Sequence, residues 1–224
     1  MDKNISIRDL SIYVNKQLTQ VFPDGSDYEK TIHNQMNYVM ERIDYCFSRI
    51  NNKYYSKNGI TVFDYLNSDH YASFLYLLSN ALWYNEQKHI IAKKVYYLNK
   101  VMHGIDIFYE VELPRIFQFT HPVGTVLGRA HYSDYLMISH GVTIGGNKDL
   151  EYPEIGEGVY FYAGSAAIGR SKIGSNNLIS IGTIVRDTDT PNDVLVYNKG
   201  TDTKYKDNKL SVKERYFKKR NSVE

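Results

Sequence analysis

Apolar residues fall at two different spacings along this chain, and the change of spacing divides it. From Ser6 to about His103 they recur every three or four residues, as in Leu10, Val14 and Leu18 and then Met36, Val39, Met40, Ile43 and Phe47. Side chains so spaced share one face of a helix, and this half reads as four helices. Start signals agree: Ser26-Asp27-Tyr28-Glu29 has the form of a capping box. Asn67-Ser68-Asp69 offers cap residues before the run Phe74, Leu75, Leu77 and Leu78. The stretch Asn51 to Thr61, with Gly59, is the most loop-like part of the half.

Beyond Ile105 the beat becomes six. Ile155, Phe161, Ala167, Ile173, Ile179 and Val185 each follow the last by six residues, and Val126, Tyr132, Ile138 and Ile144 repeat the spacing. The polar insert Asn147-Lys148-Asp149-Leu150-Glu151-Tyr152-Pro153-Glu154 separates the two runs and reads as an external loop. Compact residues recur at the fifth place of several hexads: Ala130, Val142, Val159, Ser165, Ser171 and Thr183. Each hexad then supplies one short strand and one corner, with the leading side chain inward and glycine or asparagine where φ must be positive. Stacked coils of this kind lie about 4.8 Å apart and leave open edges only at the two ends, one of which the helical half can cover. A β-sandwich would instead show period-two alternation in units of about 8–12 residues. The expected architecture is α+β: a helical domain over 1–104, a solenoid of hexapeptide repeats over 105–200 and a basic tail over 201–224.

Composition narrows the classes. A chain of 224 residues with 42% hydrophobic content can bury a full core. Its formal charge of +2 is too mild to imply nucleic acid. Cys46 has no second cysteine to pair with, and the polar start Met1-Asp2-Lys3-Asn4 has no apolar segment behind it, so a cytoplasmic setting is expected. Ala81-Leu82-Trp83-Tyr84 and Val194-Leu195-Val196-Tyr197, the longest apolar runs, fall far short of the ~20 residues of a membrane-spanning helix.

Three motifs in order carry a resemblance over about Ile105 to Arg186. They are Ile105-Asp106-Ile107, His121-Pro122-Val123-Gly124-Thr125-Val126-Leu127-Gly128 and Val142-Thr143-Ile144-Gly145-Gly146. Together they resemble the serine O-acetyltransferases and the related acetyltransferases of surface-polysaccharide pathways. The 15-residue separation of Asp106 and His121 matches that family's catalytic pair. The resemblance implies a left-handed parallel β-helix, acetyl-CoA as co-substrate, and a homotrimer or a dimer of trimers joined through the helical half. It implies pantetheine contacts at Ala163 and Gly164, and contacts near the far end of CoA at Ser180 and Thr183.

The chemistry asks for the same residue types. A hydroxyl attacks a thioester slowly until a base takes its proton, and an imidazole, with an ordinary pKa of about 6.5, can do so at neutral pH. His121 fits that role, with Asp106 bonded to its other ring nitrogen to fix the tautomer. A backbone N–H of Gly145 or Gly146 would stabilise the oxyanion.

Departures from the family bear on the acceptor. Thr120 stands where serine acetyltransferases have Asp, and Glu151-Tyr152-Pro153 where they have Arg-His-Pro, so groups that would grip an amino acid's charges are missing. Tyr132, Tyr135, Tyr152, Tyr160 and Tyr162 offer faces suited to sugar rings. The expected acceptor is a sugar or a surface-polysaccharide intermediate, met by Thr120, His140 and Tyr152. Serine O-acetylation for cysteine synthesis is the alternative, N-acetylation of an amino sugar stays open, and a non-catalytic scaffold is the rival from another class.

The remaining charged residues read more plainly. His140 reads equally as a ligand-binding or a corner residue, and His131 as structural. His33, His70, His89 and His103 lie at no metal-ligand spacing and there is no second cysteine to help, so no metal is expected. Lys93, Lys94 and Lys100 read as a solvated face. The basic run Lys204 to Arg220, with Tyr205, Tyr216 and Phe217, reads as a solvated tail closing the last coil. Tyr197-Asn198-Lys199-Gly200 replaces the family's Gly-x-Pro-Ala, which weakens CoA contacts there.

Overall fold

The computed structural model describes residues 1–85, 87 and 89–218. Four helices come first, as the spacing predicts: α1 (Ile7–Val21), α2 (Glu29–Phe47), α3 (Ser68–Tyr84) and α4 (His89–His103). The inward stripes are the predicted ones, Leu10, Val14 and Leu18 on α1 and Met36, Val39, Met40, Ile43 and Phe47 on α2. α3 is buried nearly all round from His70 to Leu82 and packs against both α2 and α4, which makes it the axis of this half.

Two helix starts follow the rules for caps. The Ser6 hydroxyl accepts the Asp9 N–H at 3.0 Å, and the Asn67 carbonyl accepts the N–H groups of Asp69 and His70 at 3.0 and 3.3 Å. The capping box expected at Ser26 does not form. Asp27 takes its place: one carboxylate oxygen accepts the Glu29 N–H at 3.0 Å and the side-chain amide of Asn15 at 2.9 Å. A second bond to α1 decides for Asp over Ser.

The segment read as a loop is instead a hairpin. Ser56–Lys57 pairs antiparallel with Ile60–Phe63 across Asn58 and Gly59, whose φ values of 51° and 79° are those of a two-residue type I′ turn. Asp2–Lys3 adds a parallel strand to it. Of the α4 lysines expected to form a solvated face, Lys93 and Lys100 are exposed and Lys94 is partly buried. Lys94 is paired with Asp24, its ammonium 4.9 Å from the centre of the Tyr28 ring, and Lys100 is paired with Asp106 at 2.5 Å.

The second half is a solenoid with three parallel faces. One face stacks Asp106–Ile107, Val126–Leu127, Thr143–Gly145, Ala166–Ile168 and Ile184–Arg186. A second stacks Phe117–Phe119, Leu136–Ile138, Tyr160–Phe161, Leu178–Ile179 and Val194–Lys199, and the third His131–Tyr132, Glu154–Ile155 and Lys172–Ile173. Every member of the run from Ile155 to Val185 points inward and is buried. The earlier run starts one residue later than its spacing implies: Leu127 is 1% exposed and pairs with Ile144, whereas Val126 is 42% exposed. Buried Thr125 turns the preceding corner, donating its hydroxyl to the Ser139 carbonyl at 2.9 Å, and the step that follows, from Leu127 to Tyr132, is one residue shorter than the hexad. Of the compact corner residues, Val142, Val159, Ser165, Ser171 and Thr183 are buried, and Ala130 only partly so.

The insert is exposed from Lys148 to Tyr152, but Pro153 is buried and Glu154 already belongs to a strand. The division at 201 falls in the turn of a hairpin, since Val194–Lys199 pairs antiparallel with Asp202–Asp207. From there α5 (Val212–Tyr216) carries the chain back to the helical half. Buried Phe217 bridges Ile50, and the Lys218 N–H donates to the Arg49 carbonyl at 2.7 Å. The tail is therefore a strap rather than a solvated extension, although Lys204 and Lys206 stay exposed; Arg220 lies outside the described residues.

Candidate functional site

His121 stands where the chain leaves the strand Phe117–Phe119 and turns toward the Asp106 face. Its φ of 51° is uncommon for a residue with a Cβ and costs on the order of 1 kcal/mol, so the surroundings must hold it. They do: its backbone N–H donates to the Asp69 carboxylate at 3.2 Å, and its carbonyl accepts the Val123 N–H at 2.8 Å. The imidazole projects from an anchored backbone and is exposed.

Asp69 lies in the first turn of α3. Burial pushes its carboxyl above the usual range, opposed by the N–H and charge of His121 and by Ser68. Its second oxygen, Oδ1, is buried without a partner, and so are Nε2 of His70 and Oγ1 of Thr120. His70 accepts the Asp64 N–H on Nδ1 at 3.2 Å, which leaves the ring proton on Nε2. Burial lowers the pKa of this ring to about 4, against the pull of Asp64, so it is a neutral donor. Interiors rarely leave buried polar atoms unpaired, and here three occur on Asp69 and the residues next to it or to His121. A carboxylate oxygen, a hydroxyl and a ring N–H thus lie buried and unpaired around the start of α3, the His70 ring packed among Phe47, Tyr55 and Phe63.

Asp106 does not make the contact expected of it. One carboxylate oxygen accepts the Tyr96 hydroxyl at 2.7 Å and the other the Lys100 ammonium at 2.5 Å. Burial opposes its charge, but these two bonds hold its carboxyl below the usual range. Tyr96 and Lys100 lie four apart on one face of α4, which brings both over the strand. No hydrogen bond joins Asp106 to His121 among the described residues; the carboxylate bonded to the His121 segment is that of Asp69. In the sequence Asp69 is marked only as a cap residue, and its one local signal is an acid in a helix's first turn.

The other expected residues separate into two groups. Gly124 donates to Gly104, Gly141 to Val123, Gly164 to His140 and Gly182 to Ala163, so these residues stack along one edge of the solenoid. His140, Ala163, Gly164 and Ser180 follow one another down that edge from His121, with coils about 4.8 Å apart. Gly164 is exposed and Ala163 half-buried, leaving a strip with little side chain along which an extended arm can lie. Thr183 does not belong to it: the residue is 2% exposed, sealed in the wall. Gly145 and Gly146 sit at the far end of the strand Thr143–Gly145, ~10 Å across the face at about 3.3 Å per residue. Tyr152 covers Gly146, where a Cβ would come within 2.8 Å of its ring.

The tyrosines expected to form a sugar platform are mostly covered. Tyr132 is 6% exposed and bonded to the Gly128 carbonyl at 2.7 Å. Tyr160 packs against Tyr216 of the strap, Tyr162 shares a 3.2 Å hydroxyl contact with it, and Tyr135 meets Phe217. Only Tyr152 of the five is exposed, and it lies on the insert. Among the described residues no three His, Cys, Asp or Glu side chains group as a metal site, and no helix is long and apolar enough to cross a membrane.

No family model matches the chain. It is similar to the serine acetyltransferase of Staphylococcus aureus strain Mu50, 29% identical over 119 residues that make up 51% of this chain and 55% of that protein. The chain thus spans about half the length of the curated relatives it matches. Among solved structures it is similar to Neisseria gonorrhoeae serine acetyltransferase, with a TM-score of 0.69 and 21% identity over 92% of this chain and 81% of that one. The same enzyme in complex with serine gives a TM-score of 0.68 at 21% identity, covering 91% of this chain and 84% of that one. Brucella abortus serine acetyltransferase in complex with coenzyme A gives 0.64 at 17%, covering 91% of this chain and 83% of that one. The fold is the one these enzymes share: helices followed by a parallel β-solenoid.

Proposed function

We propose that the chain is an acetyl-CoA-dependent O-acetyltransferase whose acceptor is L-serine. The observation that carries this reading is the unpaired, buried oxygen of Asp69 beside His121. An ammonium held there gives a charge-assisted hydrogen bond of about 1.5–3 kcal/mol and removes the penalty of an unpartnered carboxylate oxygen. A neutral sugar leaves that charge unmatched. The expected sugar acceptor has lost its other support, since its aromatic platform is largely under the strap, and the similar proteins carry the serine acetyltransferase name.

In this reading His121 takes the proton from the acceptor hydroxyl as it attacks the thioester, and the anchored backbone keeps the imidazole in place. Asp106, kept ionised by Lys100 and Tyr96, favours the imidazolium that forms. Ala163, Gly164 and Ser180 line the course of the pantetheine arm, with His140 beside it, and Thr120 faces the acceptor. Gly145 and Gly146, on the far edge, can serve such a site only from a second copy. That, together with the exposed row Val123, Val126, Ile181 and Ile184, supports a homotrimer, single or paired through its helices.

A free-CoA release assay with L-serine and a panel of sugars and nucleotide sugars, run beside His121→Ala, tests the reading. Turnover of serine that the variant loses is the expected result. Turnover of a sugar alone restores the saccharide acceptor, and release no faster than the variant's with every acceptor leaves a scaffold.

A further inference from the structure

A cavity of about 510 Å³ lies where the helical half meets the first coil, walled by α2, the end of α3, the segment 112–115 and residues 130–132. None of its walls belongs to the site around His121. Two guanidinium groups, of Arg42 and Arg115, line it together with the hydroxyls of Tyr38 and Tyr84 and the carboxylate of Glu112. Neither arginine has a carboxylate partner among the described residues. Arg42 makes one long contact, 3.5 Å to the Tyr38 hydroxyl, and its Nε is buried with no partner. Arg115 is positioned by an aromatic ring instead: its guanidinium lies 3.9 Å from the centre of the Tyr45 ring, which Arg49 covers at 3.6 Å.

A guanidinium donates through a planar fork, and the pair Nε with a terminal nitrogen matches two oxygens of a carboxylate or a phosphate. A buried Nε–H without an acceptor is unfavourable by itself, and few native groups are left so. Stacking on Tyr45 fixes Arg115 without consuming its donors, because the contact is with the face of the ring. The cavity therefore holds two oriented cations with unfilled donors and two hydroxyls at its wall. Glu112 opposes an anion there, and two positive charges outweigh it.

We propose that this cavity binds a small anion bearing a carboxylate or a phosphate, gripped by Arg42 and Arg115. The ligand would tie α2 and α3 to the segment that leads into the solenoid. The proposal does not depend on the acetyltransferase reading, and its test needs no turnover.

Calorimetric titration of the full chain with inorganic phosphate and, separately, with malonate, at constant ionic strength and with CoA present, reads the site directly. At least one probe should bind saturably at one site per chain, and which one does separates the phosphate from the carboxylate source. Arg42→Met and Arg115→Met should each weaken it at least ~10-fold, the size of one lost charge-assisted bond. Arg42→Lys keeps the charge but not the fork and should also weaken it, whereas Glu112→Gln, a surface change, should tighten it. Absence of saturable binding by either probe overturns the proposal. So does binding that Arg42→Met, shown to be folded by its melting curve, leaves unchanged, or that Glu112→Gln weakens.

Discussion

The two ends of the solenoid treat buried polar groups in opposite ways. Near the last coils Asn177 is fully buried, with both amide hydrogens and its side-chain oxygen bonded. Its amide donates to Thr190 Oγ1 and to the Pro191 carbonyl, both at 2.8 Å, and its carbonyl accepts the Val194 N–H at 3.0 Å. Thr190 in turn accepts the Gly174 N–H at 2.9 Å. Around His121 the pattern reverses, with Asp69, His70 and Thr120 each holding a buried atom unpaired. A satisfied network fixes a fold, while an unsatisfied one loses stability unless something binds to it. The lower corner is built to hold and the upper one to receive.

His121→Ala should break that contrast most sharply. Loss of a positioned general base lowers turnover by about 10³-fold, while the melting temperature stays within about 2 °C because the exposed ring supports nothing. A melting point that falls with activity would make His121 a structural residue.

Asn177→Ala should do the reverse. It strands the Val194 N–H and two acceptors, a loss of about 3 kcal/mol and about 8 °C in melting temperature for a chain of this size. CoA release per folded molecule should be unchanged at temperatures below the transition. If activity dropped in proportion to His121→Ala, the division of the solenoid into holding and receiving ends would be wrong.

How far these roles can be read from the sequence follows from how local their causes are. The helical stripes and the column from Ile155 to Val185 are legible because one-sided burial imposes a period on neighbouring residues. The register at Val126 and Leu127 is not, because Val126 keeps the six-residue spacing to Tyr132 and is as apolar as the Leu127 beside it, so nothing local marks which of the two turns inward. Asn58-Gly59 carries the signature of a type I′ turn, but a two-residue strand before it leaves too little alternation to support it. His121 itself was visible in its motif. Its partner Asp69 lies 52 residues away, and the α4 residues that hold Asp106 are spaced as any solvated helix face would be. Nothing local marks which tyrosines a returning strap will cover.

Asp69→Asn sharpens the same comparison with a smaller effect. The amide keeps an acceptor for the His121 N–H but cannot pair with an ammonium, so KM for serine should rise about 10-fold with a smaller change in kcat. Stability should move the other way. Burial raises the folded-state pKa of Asp69 above its unfolded value, so its contribution is full below the unfolded pKa and is lost as pH rises through the folded one. At pH 7 the variant should melt about 1–3 °C higher than the parent, and the gain should shrink as pH approaches 4. Equal melting at both pH values would mean that the carboxylate is better solvated than its burial implies.

Lys100→Met gives the smallest effect and tests the remaining carboxylate. Asp106 has a lowered folded pKa, so its contribution is present above the unfolded pKa and is lost as pH falls through the folded one, in the window below about 4. The lysine and aspartate side chains are 47% and 29% exposed, so solvent screens the pair and its removal should lower stability by less than about 1 kcal/mol near pH 7. The difference from the parent should fade on acidification, as Asp106 protonates in both. Because Tyr96 still donates to Asp106 in the variant, kcat should change by less than about threefold if the role of Asp106 is to stay ionised near the imidazolium. A large rise in kcat would show instead that Lys100 withholds the carboxylate from His121, and that the pair expected from the sequence forms once the lysine is gone.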